Sequence, residues 1–152
     1  MPVPYLIEAL SATPGLMGAA LRRLQTERTD CPTHAGRFSP REVVAHLADW
    51  EPIFFSRMEL AVVKPNSTVP VYDEGDRAIE LGYSGWETMA SLSTWAAARA
   101  QTVAWLSALE PGQWDAEFVH PERGSFTVTR QATMMLAHDI YHLVQLEEAG
   151  RA

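Results

Sequence analysis

The chain has 152 residues, 47% of them hydrophobic, and 12 basic against 19 acidic side chains leave a formal charge of −7. That length and apolar share suit one domain spanning residues 1–152 with a sizeable core. The acidic balance, with Lys64 as the one lysine, argues against nucleic acid or an anionic membrane as partner, because both are bound mainly by neutralising phosphate charge. A lone cysteine, Cys31, excludes an internal disulfide and a thiolate-rich zinc knuckle. With no export signal and no uninterrupted apolar run of about 18 residues, a cytoplasmic chain is expected.

Pro4 to Leu24 carries Leu6, Ile7, Leu10, Met17, Leu21 and Leu24 at helical spacing, and Pro14-Gly15 should bend or interrupt the helix. Thr26 to Arg37 is polar and reads as loop, holding a half-buried Cys31 and an exposed His34. Ser39-Pro40-Arg41-Glu42 then supplies a capping serine, a proline at the first helical position and a glutamate at the third, which predicts a helix start. This helix extends to about Val63, with Val43, His46, Trp50, Ile53, Arg57 and Leu60 on one face, and Pro52 should kink it.

Lys64 to Tyr83 is a long crossover with an acidic patch at Asp73, Glu74 and Asp76 and a short helix over Arg77 to Leu81. A connection of that length more often has a function than none. A third long helix is predicted from Ser84 or Gly85 to just before Pro111-Gly112. Gln113 to Ser125 reads as short extended pieces around the turn His120-Pro121-Glu122-Arg123-Gly124, which leaves His120 exposed.

The final helix caps at Thr127 and runs to about Glu148, with Gly150 beyond it. Gln131, Met134, His138, His142 and Gln145 form one stripe, yet Leu136, Ile140 and Leu143 lie on the opposite face. Its back must be covered by the N-terminal segment or by a second subunit. The expected fold is therefore all-α, a four-helix bundle with one long crossover and kinked helices, assembled as a homodimer.

His138 and His142 stand four residues apart, so a helix presents both imidazoles on one face within reach of one ion. Two core histidines satisfied by hydrogen bonds would show the same spacing. His46, on another helix, could complete a three-imidazole set with open coordination positions, as a catalytic metal needs. Asp139 directly follows His138, as glutamate follows histidine in the H-E-x-x-H metalloproteases, which makes it the candidate base of a hydrolase. Asp49 could orient His46 or be a solvated carboxylate. Trp50 and Tyr141 are core aromatics that could line the metal cavity, and Arg57 and Arg99 could hold an anionic substrate group or simply snorkel.

The stretch from Phe38 to Glu51, FSPREVVAHLADWE, taken with Ala137 to Gln145, AHDIYHLVQ, resembles the DinB/YfiT-like family of metal-dependent proteins, and the likeness covers essentially the whole chain. Phe38 stands where many relatives have tryptophan, a difference expected to affect packing. The resemblance implies a four-helix bundle with one long connection, and His46, His138 and His142 as ligands of zinc or nickel. It further implies a small-molecule substrate and a transferase using a low-molecular-weight thiol of the bacillithiol or mycothiol type. The alternatives are a metal-dependent hydrolase with Asp139 as base, and a non-catalytic, stress-related metal-binding protein.

Overall fold

The Ser39 hydroxyl accepts the backbone N–H of Glu42 at 3.3 Å while the Glu42 carboxylate accepts that of Ser39 at 3.0 Å, so the predicted capping box is formed and starts the longest ordered stretch of the bundle's first half. The computed structural model describes residues 4–151. Among them are five α-helices: α1 (Leu6–Arg23), α2 (Pro40–Val63), α3 (Glu74–Leu81), α4 (Thr88–Ser107) and α5 (Val128–Arg151). Three short strands, β1 (Ser67–Thr68), β2 (Glu117–His120) and β3 (Gly124–Thr127), make a small sheet in that order. The four long helices form the bundle, α2 against α4 and α5, and α1 against α4 and α5. None of the described helices is long and apolar enough to cross a membrane.

Several boundaries differ from expectation for local reasons. Helix α1 runs through Pro14 without interruption. Proline cannot donate to the carbonyl four residues back, Leu10, and that oxygen instead accepts Arg99 Nη1 at 3.0 Å and the Thr13 hydroxyl at 3.2 Å. Helix α3 begins at Glu74 rather than Arg77, because Asp73 caps it by accepting the N–H of Asp76 at 2.8 Å. Gly82, at φ 65°, ends α3, and Tyr83 to Gly85 make a 3₁₀ turn, so α4 starts at Thr88, where Glu87 accepts the N–H groups of Met89 and Ala90. Helix α5 continues past Gly150, where a β-carbon would come within 4.0 Å of the Leu24 side chain.

The extended pieces near His120 pair as an antiparallel hairpin, with Phe118 opposite Phe126. The parallel strand β1 has no counterpart in the sequence reading, since two residues are too few to show an alternating pattern. The back of α5 is covered in part by α1; Ile140, Tyr141 and Val144 remain exposed.

At the centre of the bundle lies one arginine, Arg99, on α4. Its Nε and Nη2 each donate to Glu51 of α2 at 2.8 Å, and Nη1 and Nη2 donate to Asp139 of α5 at 2.5 and 3.1 Å. Nη1 also reaches the Thr13 hydroxyl of α1 at 2.9 Å, and Thr13 donates to Asp139 at 2.6 Å. Trp95 and Thr102 complete the shell around Glu51. Burial works against the charge on Arg99, but its bonds to Glu51 and Asp139 outweigh it and hold the pKa above the ordinary arginine value. Two candidates are thereby turned inward: Arg99 and Asp139 face each other in the bundle core and line neither cavity at the histidines, where a substrate arginine or a hydrolase base would stand.

Removing one partner of a buried ion pair leaves the other uncompensated, a loss of roughly 3–5 kcal/mol. Arg99→Leu should therefore lower the unfolding free energy by about that much in urea titration, and Asp139→Asn should lose stability as well as any activity it loses.

Candidate metal centre

Two turns from the capping box, α2 buries His46 completely, and α5 brings His138 and His142 to it from across the bundle. The three Nε2 atoms converge: His46 to His138 is 2.9 Å and His138 to His142 is 3.2 Å. Three nitrogens each about 2.0–2.1 Å from a tetrahedral ion would sit roughly 3.4 Å apart, so small side-chain movements would let the cluster accept one. The described residues place His46, His138 and His142 together as a group that could hold a metal, with no fourth histidine, cysteine or carboxylate joining them.

The donor chemistry fits such an ion. Burial, reinforced by His138 and His142, lowers the His46 pKa to about 2, and burial, with His142 and Arg99, lowers that of His138 to about 3. Burial also lowers His142, against the pull of Gln145. All three rings are thus neutral near pH 7, with lone pairs to offer. Gln145 Nε2 donates to the carbonyl of Phe38 at 3.0 Å, which turns its Oε1 toward His142 Nδ1, also at 3.0 Å. His142 therefore carries its proton on Nδ1 and presents Nε2 as a ligand. Phe38, Trp50 and Phe54 wall the cluster, their ring centroids 5.3 and 5.7 Å from His46 and 5.6 Å from His138 respectively.

Two cavities meet at His138. The larger, about 300 Å³, is bordered by Arg37, Phe38, Glu74, His138, Tyr141 and His142. The smaller, about 120 Å³, is bordered by Trp50, Arg57, Glu74, His120, Arg123 and His138. The candidate substrate residues thus divide: Tyr141 on the larger, Trp50 and Arg57 on the smaller.

Asp49 does not orient His46. It accepts both Arg77 nitrogens and the Tyr83 hydroxyl, the latter at 2.6 Å, and so ties α3 and the turn after it to α2, while His46 Nδ1 is buried without a protein partner. His120 is buried, not exposed, because the hairpin folds it inward beside Phe126. Cys31 is exposed and far from this chemistry in kind, its thiol donating to the carbonyl of Glu27; His34 is exposed as expected. The sequence reading missed Glu74 and Gln145 as site residues. Gln145 stood on the histidine stripe and Glu74 in the acidic patch of the crossover, but only the fold shows what each faces.

A family model matches residues 9–146, and the chain belongs to the DinB superfamily. A protein of Oceanobacillus iheyensis named "Putative metal-dependent hydrolase" is 28% identical over 140 residues, covering 92% of this chain and 81% of its own. A Bacillus mycoides protein of the same description is 26% identical over 92% of this chain and 80% of its own. The solved structure of YfiT from Bacillus subtilis, described as a "probable metal-dependent hydrolase with an unusual four-helix bundle topology", superposes with a TM-score of 0.91 at 22% identity, over 96% of this chain and 84% of that one. The mycothiol-dependent maleylpyruvate isomerase superposes at 0.76 with 13% identity, over 96% of this chain and 61% of the isomerase. The YfiT-like four-helix bundle with a small sheet is thereby the fold of this chain.

Metal analysis of the purified protein should find one divalent ion, lost in His138→Ala and His142→Ala and retained in His34→Ala. Gln145→Ala should keep the ligands but weaken metal affinity by about 10–100-fold in a chelator competition, since it leaves the ring of His142 unanchored.

Proposed function

We propose that the chain is a metal-dependent hydrolase of a small molecule. The observation that carries this reading is the convergence of three neutral histidine nitrogens beside two cavities, with no fourth protein ligand among the described residues. The names of its relatives support the same reaction class. A divalent ion at such a site supplies Lewis-acid polarisation of a substrate carbonyl or phosphoryl oxygen and acidifies a water.

The chain's own residues would do the rest. Glu74 is the one carboxylate that borders both cavities together with His138, which places it, and not Asp139, to accept the proton from a water attacking a substrate between them. Glu74 is exposed at the mouth of the cavities, where partial desolvation raises its pKa from the ordinary glutamate value, with Arg123 opposing. Tyr141 and Phe38 would pack against the substrate in the larger cavity. Glu74→Gln should reduce turnover of a hydrolysable ester or amide by at least roughly 100-fold with metal content unchanged. Full activity in that variant would remove Glu74 from the mechanism.

A second reading has its own support. The larger cavity has room for a small thiol next to His138 and His142, and the bundle is shared with a mycothiol-dependent enzyme. On this reading His46, His138 and His142 would hold zinc or nickel, which when bound would supply the acidity that turns a bacillithiol- or mycothiol-type cofactor into a thiolate for transfer to an electrophile. Adding such a thiol to cobalt-substituted protein should then give a sulfur-to-metal charge-transfer band that chelation abolishes; hydrolysis without any thiol, and no band with any, would decide for the hydrolase. We further propose a homodimer, for which the exposed Ile140, Tyr141 and Val144 on α5 offer an apolar strip.

A further inference from the structure

Arg57 is 6% exposed, yet no carboxylate lies within ion-pairing distance of it among the described residues. Its Nε is buried with no partner, and its Nη2 has one, the carbonyl of Pro70 at 3.2 Å. Its guanidinium also lies 5.9 Å from the Trp50 ring, so one aromatic face and one carbonyl hold it in place. An arginine so buried normally has an acid beside it, because an uncompensated charge away from water is costly. Arg123 acts on Arg57 to lower its pKa, after burial and with Tyr72 opposing, and both arginines, after burial and with Glu122 opposing, lower that of His120.

His120 adds a donor. Its Nδ1 accepts the backbone N–H of Glu122 at 3.2 Å, so the neutral ring carries its proton on Nε2. Arg57, Arg123 and His120 all border the smaller cavity, whose other wall is His138 of the metal centre. Glu74 and Glu122 border it too, without pairing with either arginine within ion-pairing distance. A volume of about 120 Å³ is enough for one compact head group.

We propose that this smaller cavity is the anion subsite of the substrate: Arg57, Arg123 and His120 receive a carboxylate or phosphoryl group, while the bond to be cleaved lies at the three histidines and the remainder of the molecule occupies the larger cavity. The proposal rests on the hydrolase reading for the second half of that statement, but the anion subsite itself does not. It narrows the substrate class to small molecules that carry an oxyanion a short distance from the scissile bond, and excludes neutral or cationic ones. A planar guanidinium with its Nε and one edge free is the donor that matches two oxygens of such a group.

The test uses metal-free protein, so that neither an ion nor turnover contributes. Malonate and inorganic phosphate, each at about 10 mM against sodium chloride of equal ionic strength, should raise the melting temperature by roughly 3–5 °C if either binds near 1 mM. The shift should vanish in Arg57→Gln and in Arg123→Ala, and persist in Arg22→Ala, an arginine on α1 away from the cavity. Arg123 is exposed, so its variant folds even if Arg57→Gln does not. A shift with malonate alone identifies carboxylate substrates, and with phosphate alone phosphoryl ones. Absence of any shift in the wild-type protein, or an equal shift in all variants, would overturn the subsite. Lack of hydrolysis by the metal-loaded protein would overturn the proposed reaction and leave this outcome as it stands.

Discussion

One guanidinium sets the geometry of everything else. Arg99 bonds directly to α1, α2 and α5 from its own place on α4, so the four long helices of the bundle share a single polar node. Asp139 is the residue next to His138, and fixing its side chain toward Arg99 fixes the rotation of α5 about its axis. With that rotation set, His138 and His142 can only face His46. Apolar packing around Met17, Leu47, Trp95 and Leu146 would tolerate a helix turned by some tens of degrees; a carboxylate held by three donors does not.

What the sequence made legible was what short-range rules govern. The capping box at Ser39, the helical periodicity of α2 and α5, and the i, i+4 spacing of His138 and His142 each depend on residues within one or two turns, and each is found as read. His46 could be offered as a third ligand from its place on a second helix, but nothing local connects residues 92 positions apart, and it was the family likeness that implied the full set. Asp139 was misread for the same reason: its partner, Arg99, is 40 positions away, and an acid beside a metal-type histidine looks catalytic until its direction is known. On a helix, consecutive residues point about 100° apart, so the neighbour of a ligand can serve its site or face another side of the helix, as Asp139 does toward Arg99.

His120 and Asp49 show the complementary failure. Flanked by proline and turn residues, His120 was given to solvent, but the hairpin curls its last position inward beside Phe126. Asp49 lies three residues after His46, a spacing that often brings side chains together, yet Arg77 and Tyr83 in the crossover claim it. Both partners belong to segments whose placement depends on tertiary contacts that no periodicity records. Glu74, which α3 carries to the junction of the two cavities, belongs to the same category.

The small sheet has a role that its size conceals. Strand β1 pairs with β2, Asn66 donates to Glu117 and Val69 to Val119, so the start of the crossover is stitched to the hairpin that carries His120 and Arg123. Pro70, one residue beyond this stitch, holds Arg57. Val71, Tyr72, His120, Glu122 and Arg123 on the rim of the smaller cavity are therefore borrowed from the crossover and the hairpin, whereas the histidines stand on helices locked by Arg99. Natural variation in the hairpin and crossover could then retune which molecules are accepted while the ion and its ligands are inherited unchanged, so that one bundle could serve many chemistries by exchanging its rim.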